Sequence, residues 1–292
     1  MVDVVIIGKG PAGISSSLYP VRGNLSTLVV AKDFGGLYKT DKIDNYYGFP
    51  ETITGKELMD NGVKQAKRLA VEFAEDEIVD ITYDGSFNVI GNRGTYKAMA
   101  VILAVGQPGR KLSLKGIKDF EGKGISYCST CDGFFYRDKK VGVIGYTDFA
   151  VHEASELLTY TKDITLFTNG RDLEIDEQSK DILQQLKVNN KPIAGIGGGD
   201  YVEEVEFTDG TSESVGGVFI AYGSASALSF ALKMGVLTEN NAVVVDKDGS
   251  TNIPGLFACG DCTGTFKQIS VAVGQGAMAG KAVLDYVKKL KK

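Results

Sequence analysis

Apolar residues fall in short, unbroken runs along this chain: through Val2 to Gly8 (VDVVIIG), Ser26 to Ala31 (STLVVA) and Ala98 to Val105 (AMAVILAV). Runs this continuous predict central strands buried on both faces, as in parallel sheets covered by helices. The residues after Gly8, to about Leu18, predict a helix, with Pro20 ending or kinking it early. A second strand, helix and strand follow at Lys140 to Gly145 (KVGVIG), Phe149 to Tyr160 and Ile164 to Phe167. Each block is a βαβ unit of about 30 residues, so the pattern predicts an α/β fold with two Rossmann-like nucleotide-binding domains. Asn252 to Asp261 (NIPGLFACGD) and a Gly- and Ala-rich helix from Ser270 complete the first domain better than they extend the second. The second domain is therefore expected as an insert at 114–241, within a first domain formed by 1–113 and 242–292.

Composition narrows the function. At 292 residues the chain can bury two cores without disulfide staples. A net charge of −5 argues against a nucleic-acid partner, because neutralising phosphates requires Lys and Arg concentrated on one surface. The most apolar stretch, Ala98 to Val105, is far shorter than the roughly 20 residues of a membrane helix. Met1 leads directly into a strand with no basic and apolar leader, which implies a cytoplasmic protein. The four cysteines form two C-x-x-C pairs, Cys128/Cys131 and Cys259/Cys262, and in that compartment such pairs suggest redox or metal chemistry.

Three segments carry the chemistry. In G-K-G-P-A-G, Gly8 permits a tight turn, Gly10 lets the backbone approach a pyrophosphate, and Gly13 allows close helix-strand packing at a helix N-terminus that favours the anion. The acid that holds the ribose usually ends the second strand, where Ala31 and Lys32 fall here; Asp33 is the nearest candidate, and this motif alone does not separate FAD from NAD. Tyr127 to Gly133 reads Y-C-S-T-C-D-G: two sulfurs at this spacing can close a small ring and exchange with other disulfides, and the carboxyl of Asp132 can carry protons to and from the dithiol. Half of a metal site or two buried thiols are the alternatives. Cys259 and Cys262 flank Gly260 and Asp261 where small apolar residues would also serve, which suggests buried thiols. A zinc site drawn from both pairs would sacrifice the redox motif.

Together these segments resemble the low-molecular-weight thioredoxin reductases over nearly the whole chain. GKGPAG resembles their FAD fingerprint, GGLYKTDKIDNYYGFP their flavin-contacting loop, and GISYCSTCDGFFYRDKKVGVIG their redox motif leading into the second nucleotide fold. IPGLFACGD and KQISVAVGQGAMA resemble the segment that holds the flavin. The resemblance implies FAD bound by Gly8, Gly10, Pro11, Ala12, Gly13, Gly35, Gly36, Leu37, Asn45, Gly260, Asp261, Lys267, Gln268 and Ile269, with Cys128, Cys131 and Asp132 catalytic and Cys131 facing the flavin. It also implies thioredoxin as the substrate and a homodimer.

The second domain departs from the family where NADPH should bind. The expected G-x-G-x-x-A is G-Y-T-D-F-A, so Thr147 sets a side chain where backbone must touch pyrophosphate, and Tyr146 and Phe149 add bulk. In place of the NADPH-dependent members' His-Arg-Arg cluster stands Phe167-Thr168-Asn169-Gly170-Arg171, with one arginine. Each loss costs about 1 to 3 kcal/mol, together a hundredfold or so in affinity. This pattern resembles the ferredoxin-dependent flavin thioredoxin reductases, which take single electrons from ferredoxin. Lys288, Lys289, Lys291 and Lys292 form a basic end that could attract an acidic ferredoxin, although a solvated helix end is its plainer reading.

Overall fold

The computed structural model describes residues 1–106 and 112–292. Its contacts divide the chain into two units, Met1–Gly109 with Ser226–Lys292, and Arg110–Ala225.

The first unit opens with β1 (Val2–Ile7), α1 (Pro11–Arg22) and β2 (Thr27–Val30), continues through α2 (Gly55–Arg68) and β3 (Glu72–Ala74), and reaches β4 (Ile78–Tyr83), β5 (Phe87–Gly91) and β6 (Thr95–Leu103). β1, β2, β3 and the C-terminal half of β6 are parallel, while β5 pairs antiparallel with the N-terminal half of β6 and β4 antiparallel with β5. The sheet order is β3-β2-β1-β6-β5-β4. β1 thus lies between β2 and β6, both of which follow it in the chain and run parallel to it on opposite sides, the arrangement whose carboxyl ends form a ligand crevice. Pro20 does not stop α1 at Leu18. It lies in the last turn, where its missing amide removes a single helical bond, and the Gly23 amide closes that turn by donating to the carbonyls of Tyr19 and Pro20, each at 3.0 Å.

The second unit contains β7 (Ile125–Ser126), α3 (Ser129–Asp132), β8 (Val141–Ile144), α4 (Asp148–Leu157), β9 (Ile164–Phe167), α5 (Glu177–Leu183) and β10 (Lys187–Asn189). An antiparallel ribbon of β11 (Ile193–Gly198), β12 (Val202–Phe207) and β13 (Ser212–Ser214) follows, and β14 (Val218–Ile220) ends the unit. The main sheet is parallel, ordered β10-β9-β8-β14-β7.

The chain then returns to the first unit with α6 (Ala227–Met234), the hairpin β15 (Thr238–Glu239) and β16 (Ala242–Val243), β17 (Leu256–Ala258) and the long α7 (Ile269–Leu290). The return falls at 226, earlier than the 242 expected from sequence, because α6 packs on β4 and its buried Lys233 lies 3.5 Å from Asp80 on that strand. β17 pairs with the C-terminal half of β6. α7 lies along α1 so closely that a Cβ added at Gly276 would stand 2.3 Å from the Ala12 carbonyl oxygen, and one at Gly280 would stand 2.4 Å from that of Ser16.

Candidate active site

The first unit builds a cradle for a dinucleotide from backbone. Gly8, at φ +108°, closes the turn after β1, and a Cβ there would lie 2.3 Å from the Ala104 carbonyl oxygen. At Gly13 a Cβ would meet the Gly8 oxygen at 1.9 Å, whereas at Gly10 it would meet nothing within 4 Å. Gly8 and Gly13 are therefore required by packing, and Gly10 by whatever occupies the open space before it. α1 begins at Pro11 with neither a side-chain cap nor an acid in its first turn, so its N-terminal field is available to an anion. Gly260 brings the Asp261 turn against the same helix start, because a Cβ there would sit 2.8 Å from the Cβ of Ala12. The amide of Gly260 donates to Gln275 Oε1 at 2.8 Å.

Two expected cofactor residues distant in sequence meet directly: Asn45 Nδ2 donates to Gln268 Oε1 at 2.9 Å. Gln268 precedes α7, whose first residue is Ile269 and whose start is again uncapped by any side chain. Gly35 and Gly36 open a 3-10 turn that carries the half-buried Leu37, and Lys267 is exposed. Asp33, the nearest acid to the end of β2, is occupied locally, accepting the Gly35 amide at Oδ1 at 2.7 Å.

The second unit carries the redox motif. Cys128 and Cys131 form a disulfide with Cα atoms 5.3 Å apart. Cys128 is buried and Cys131 exposed. Cys128 Sγ accepts the Cys131 amide at 3.1 Å, so the first sulfur caps the short α3. Ser126, missed in the sequence, is the hub of this turn. Its hydroxyl donates to Asp132 Oδ2 at 2.6 Å and accepts the Cys128 amide at 3.1 Å. Glu153, also missed, lies beneath the motif on α4 and accepts the Ser129 amide at 3.1 Å, both residues being buried. The available signal was an acid four residues after Phe149, on the face of α4 that Phe149, Ala150 and Ala154 bury. Tyr136 loses acidity through burial and, secondarily, through the charge of Asp132.

Cys259 and Cys262 are free and fully buried. Burial pushes the Cys262 thiol up to about 12 and raises that of Cys259 well above the ordinary range. The Cys262 thiol points at the carbonyls of Cys259, at 3.3 Å, and Leu103, at 3.6 Å. Such protonated thiols are poor nucleophiles.

The turn after β8 is not obstructed in the way expected from sequence. Thr147 does not project its side chain outward; its hydroxyl donates to the Gly223 carbonyl at 2.5 Å and the residue is 3% exposed. Phe149 belongs to the core of the unit and does not crowd the turn's mouth. Tyr146 packs edge-on against Tyr222, with ring centres 5.1 Å apart, and the guanidinium of Arg171 lies 5.4 Å from the Tyr146 ring centre. Arg171 also hydrogen-bonds Tyr222, which raises its basicity further. The Glu174 amide donates to the Tyr146 carbonyl of the same turn at 2.8 Å. The arginine expected to survive for a phosphate is thus engaged with two tyrosines, one of which, Tyr222, lay outside the sequence motif.

The family model of the pyridine nucleotide-disulphide oxidoreductases matches residues 2–276. The thioredoxin reductase of Listeria innocua is 35% identical over 99% of this chain and 95% of that protein. Among solved structures, the atypical thioredoxin reductase TRi of Desulfovibrio vulgaris Hildenborough is 41% identical with a TM-score of 0.96, covering 99% of both chains. A ferredoxin-flavin thioredoxin reductase of Clostridium acetobutylicum is 28% identical with a TM-score of 0.71, covering 99% of this chain and 98% of that one. The chain belongs to the pyridine nucleotide-disulphide oxidoreductase family, and within it to the thioredoxin reductases. Its cofactor is FAD, which the backbone cradle and the open space at Gly10 fit.

Proposed function

From that membership we propose that the chain reduces thioredoxin through the Cys128–Cys131 disulfide, with electrons supplied by a ferredoxin and not by a pyridine nucleotide. The carrying observation is Arg171, the one arginine left where a phosphate would be held, engaged instead by Tyr146 and Tyr222. The likeness to a ferredoxin-flavin thioredoxin reductase supports the same donor.

FAD, when bound, accepts electrons one at a time and passes them on as a pair. In this reading Gly8, Gly10 and Gly13 admit its pyrophosphate to the N-terminus of α1, and Asn45 and Gln268 hold each other beside the start of α7. Two electrons and two protons open the Cys128–Cys131 bond to a dithiol. One cysteine then attacks thioredoxin's disulfide, and its partner resolves the mixed disulfide, restoring the intramolecular bond and releasing thioredoxin as a dithiol. Asp132, held at Oδ2 by Ser126, exchanges the protons, while Glu153 and Ser126 fix the backbone of the turn.

The test is anaerobic stopped-flow absorbance of the oxidised holoenzyme mixed with millimolar NADPH, NADH, or reduced ferredoxin. Ferredoxin should bleach the flavin and support thioredoxin reduction. Rapid, complete bleaching by NADPH would return the chain to the pyridine-nucleotide-dependent branch.

A further inference from the structure

Ser126 ends β7 two residues before Cys128 and is 4% exposed. A serine hydroxyl has one hydrogen to donate and two lone pairs with which to accept. Three groups of the redox turn stand around its Oγ: Asp132 Oδ2 at 2.6 Å, the Cys128 amide at 3.1 Å and the Cys128 carbonyl at 3.3 Å. The amide can only donate, so Oγ accepts it whatever else changes. The single hydroxyl hydrogen is then divided between the carboxyl group and the carbonyl. With Asp132 ionised, the shorter contact takes it. With Asp132 protonated at Oδ2, the acid's own O–H donates to the second lone pair of Oγ, and the serine hydrogen turns to the Cys128 carbonyl. That carbonyl accepts the Asp132 amide at 3.2 Å and keeps a lone pair for the hydroxyl. Both protonation states of the acid are therefore paired through the same atoms, and no water is needed at buried Ser126.

We infer that Ser126 is a positioning residue for proton transfer, its hydroxyl reversing direction as Asp132 gains and loses a proton, so that the acid cycles without giving up its place in the turn. The inference rests on Asp132 as the proton carrier and adds how that carrier is held in both of its states. During thioredoxin reduction the attacking cysteine gives its proton to Asp132 as its sulfur bonds to one sulfur of thioredoxin's disulfide. That disulfide breaks, and its departing sulfur takes the proton from Asp132. Ser126 turns to the Cys128 carbonyl in the first half and back to the carboxylate in the second, and itself gains and loses no proton. A serine serving the backbone alone would need only the bond from the Cys128 amide, which is the same in both states.

The test is a double-mutant cycle on the holoenzyme, pre-reduced with stoichiometric dithionite so that the natural donor plays no part. The readout is single-turnover oxidation by thioredoxin across a range of thioredoxin concentrations, with flavin absorbance and thiol titration confirming an intact cofactor and cysteine pair. Ser126→Ala should lower the limiting rate about tenfold, the loss of one hydrogen bond to a charged group, and leave the half-saturating thioredoxin concentration unchanged. Ser126→Thr, which keeps the hydroxyl, should restore most of that rate. In an Asp132→Asn background, where the residue exchanges no proton, adding Ser126→Ala should lower the rate by less than about twofold, because the two residues act as one unit. An equal loss in both backgrounds would reduce Ser126 to a support of the turn and overturn the inference. So would an unchanged limiting rate in Ser126→Ala, or a threonine variant as slow as the alanine one, and in all three cases the deficit of Asp132→Asn alone would stand. An Asp132→Asn rate near wild type would overturn the proton role itself, and the inference with it.

Discussion

Replacing Asp132 by asparagine separates the proton-carrying role of this residue from its structural one. In the structure Oδ2 accepts a 2.6 Å hydrogen bond from Ser126, whose hydroxyl also orders the Cys128 amide. An asparagine can turn its own oxygen to Ser126 and keep that bond in neutral form, at a cost of about 1 kcal/mol for the lost charge. The turn, the disulfide and the flavin should therefore persist. An amide cannot accept or release the proton, and positioned acid-base groups contribute about 10² to 10⁴ in rate. Even the lower figure is about 2.7 kcal/mol in the barrier, so thioredoxin turnover should fall by roughly a hundredfold. The assay is single-turnover oxidation of the pre-reduced holoenzyme by thioredoxin, with flavin absorbance and thiol titration on the same sample. A rate within threefold of wild type in a variant that retains flavin and disulfide would refute the proton role and leave Asp132 as an acceptor for Ser126.

Cys131→Ser should retain FAD, shown by its visible spectrum, and lose thioredoxin reduction altogether; turnover near wild type would remove the pair from the mechanism. Gly13→Ala should lose about 3 kcal/mol or more of stability in urea, because its Cβ has 1.9 Å to the Gly8 oxygen, whereas Gly10→Ala should keep its urea midpoint and lose FAD affinity, since only ligand space is filled. The raised thiols of Cys259 and Cys262 give a third expectation, in alkali. The folded state keeps protons that the unfolded state, with thiols near 9, releases above that pH, so unfolded chains bind fewer protons and stability falls as pH rises from about 9 toward 12. The slope for each thiol is about 1.4 kcal/mol per pH unit, and the Cys259→Ala/Cys262→Ala variant should lose less between pH 8 and 10 than wild type in urea melts.

Glycines and apolar runs made the first unit readable from sequence, since a β1 run followed by G-K-G-P-A-G leaves few foldings for that segment. The redox pair was equally open, because its spacing is itself the chemistry. What escaped depended on contacts between distant residues. Ser126 is an ordinary serine until β7 sets it under Asp132, and Tyr222 acquires meaning only when β14 ends beside the turn after β8. Thr147 shows the opposite failure. Its identity marks a departure from the family, but the direction of its side chain depends on the Gly223 carbonyl, 76 residues on. The boundary at 226 was illegible because α6 owes its place to β4, a strand roughly 145 residues earlier.

The late pairing of β6 with β17 bears on how the chain is made. The N-terminal half of β6 can pair at once with the adjacent β5 and its C-terminal half with β1, but the other edge of that C-terminal half waits for β17, and α1 waits for Gly276 and Gly280 of α7. Both arrive after the whole of Arg110–Ala225 has been synthesised. On a ribosome adding about 5 to 20 residues each second, a nascent chain spends seconds with one edge of β6 unpaired and the apolar face of α1 uncovered. The inserted unit, continuous in sequence, should reach its native state during that interval. The interrupted one closes last, so flavin capture should be a late event of biogenesis, and chains released before α7 emerges should appear as colourless, chaperone-bound or aggregated products.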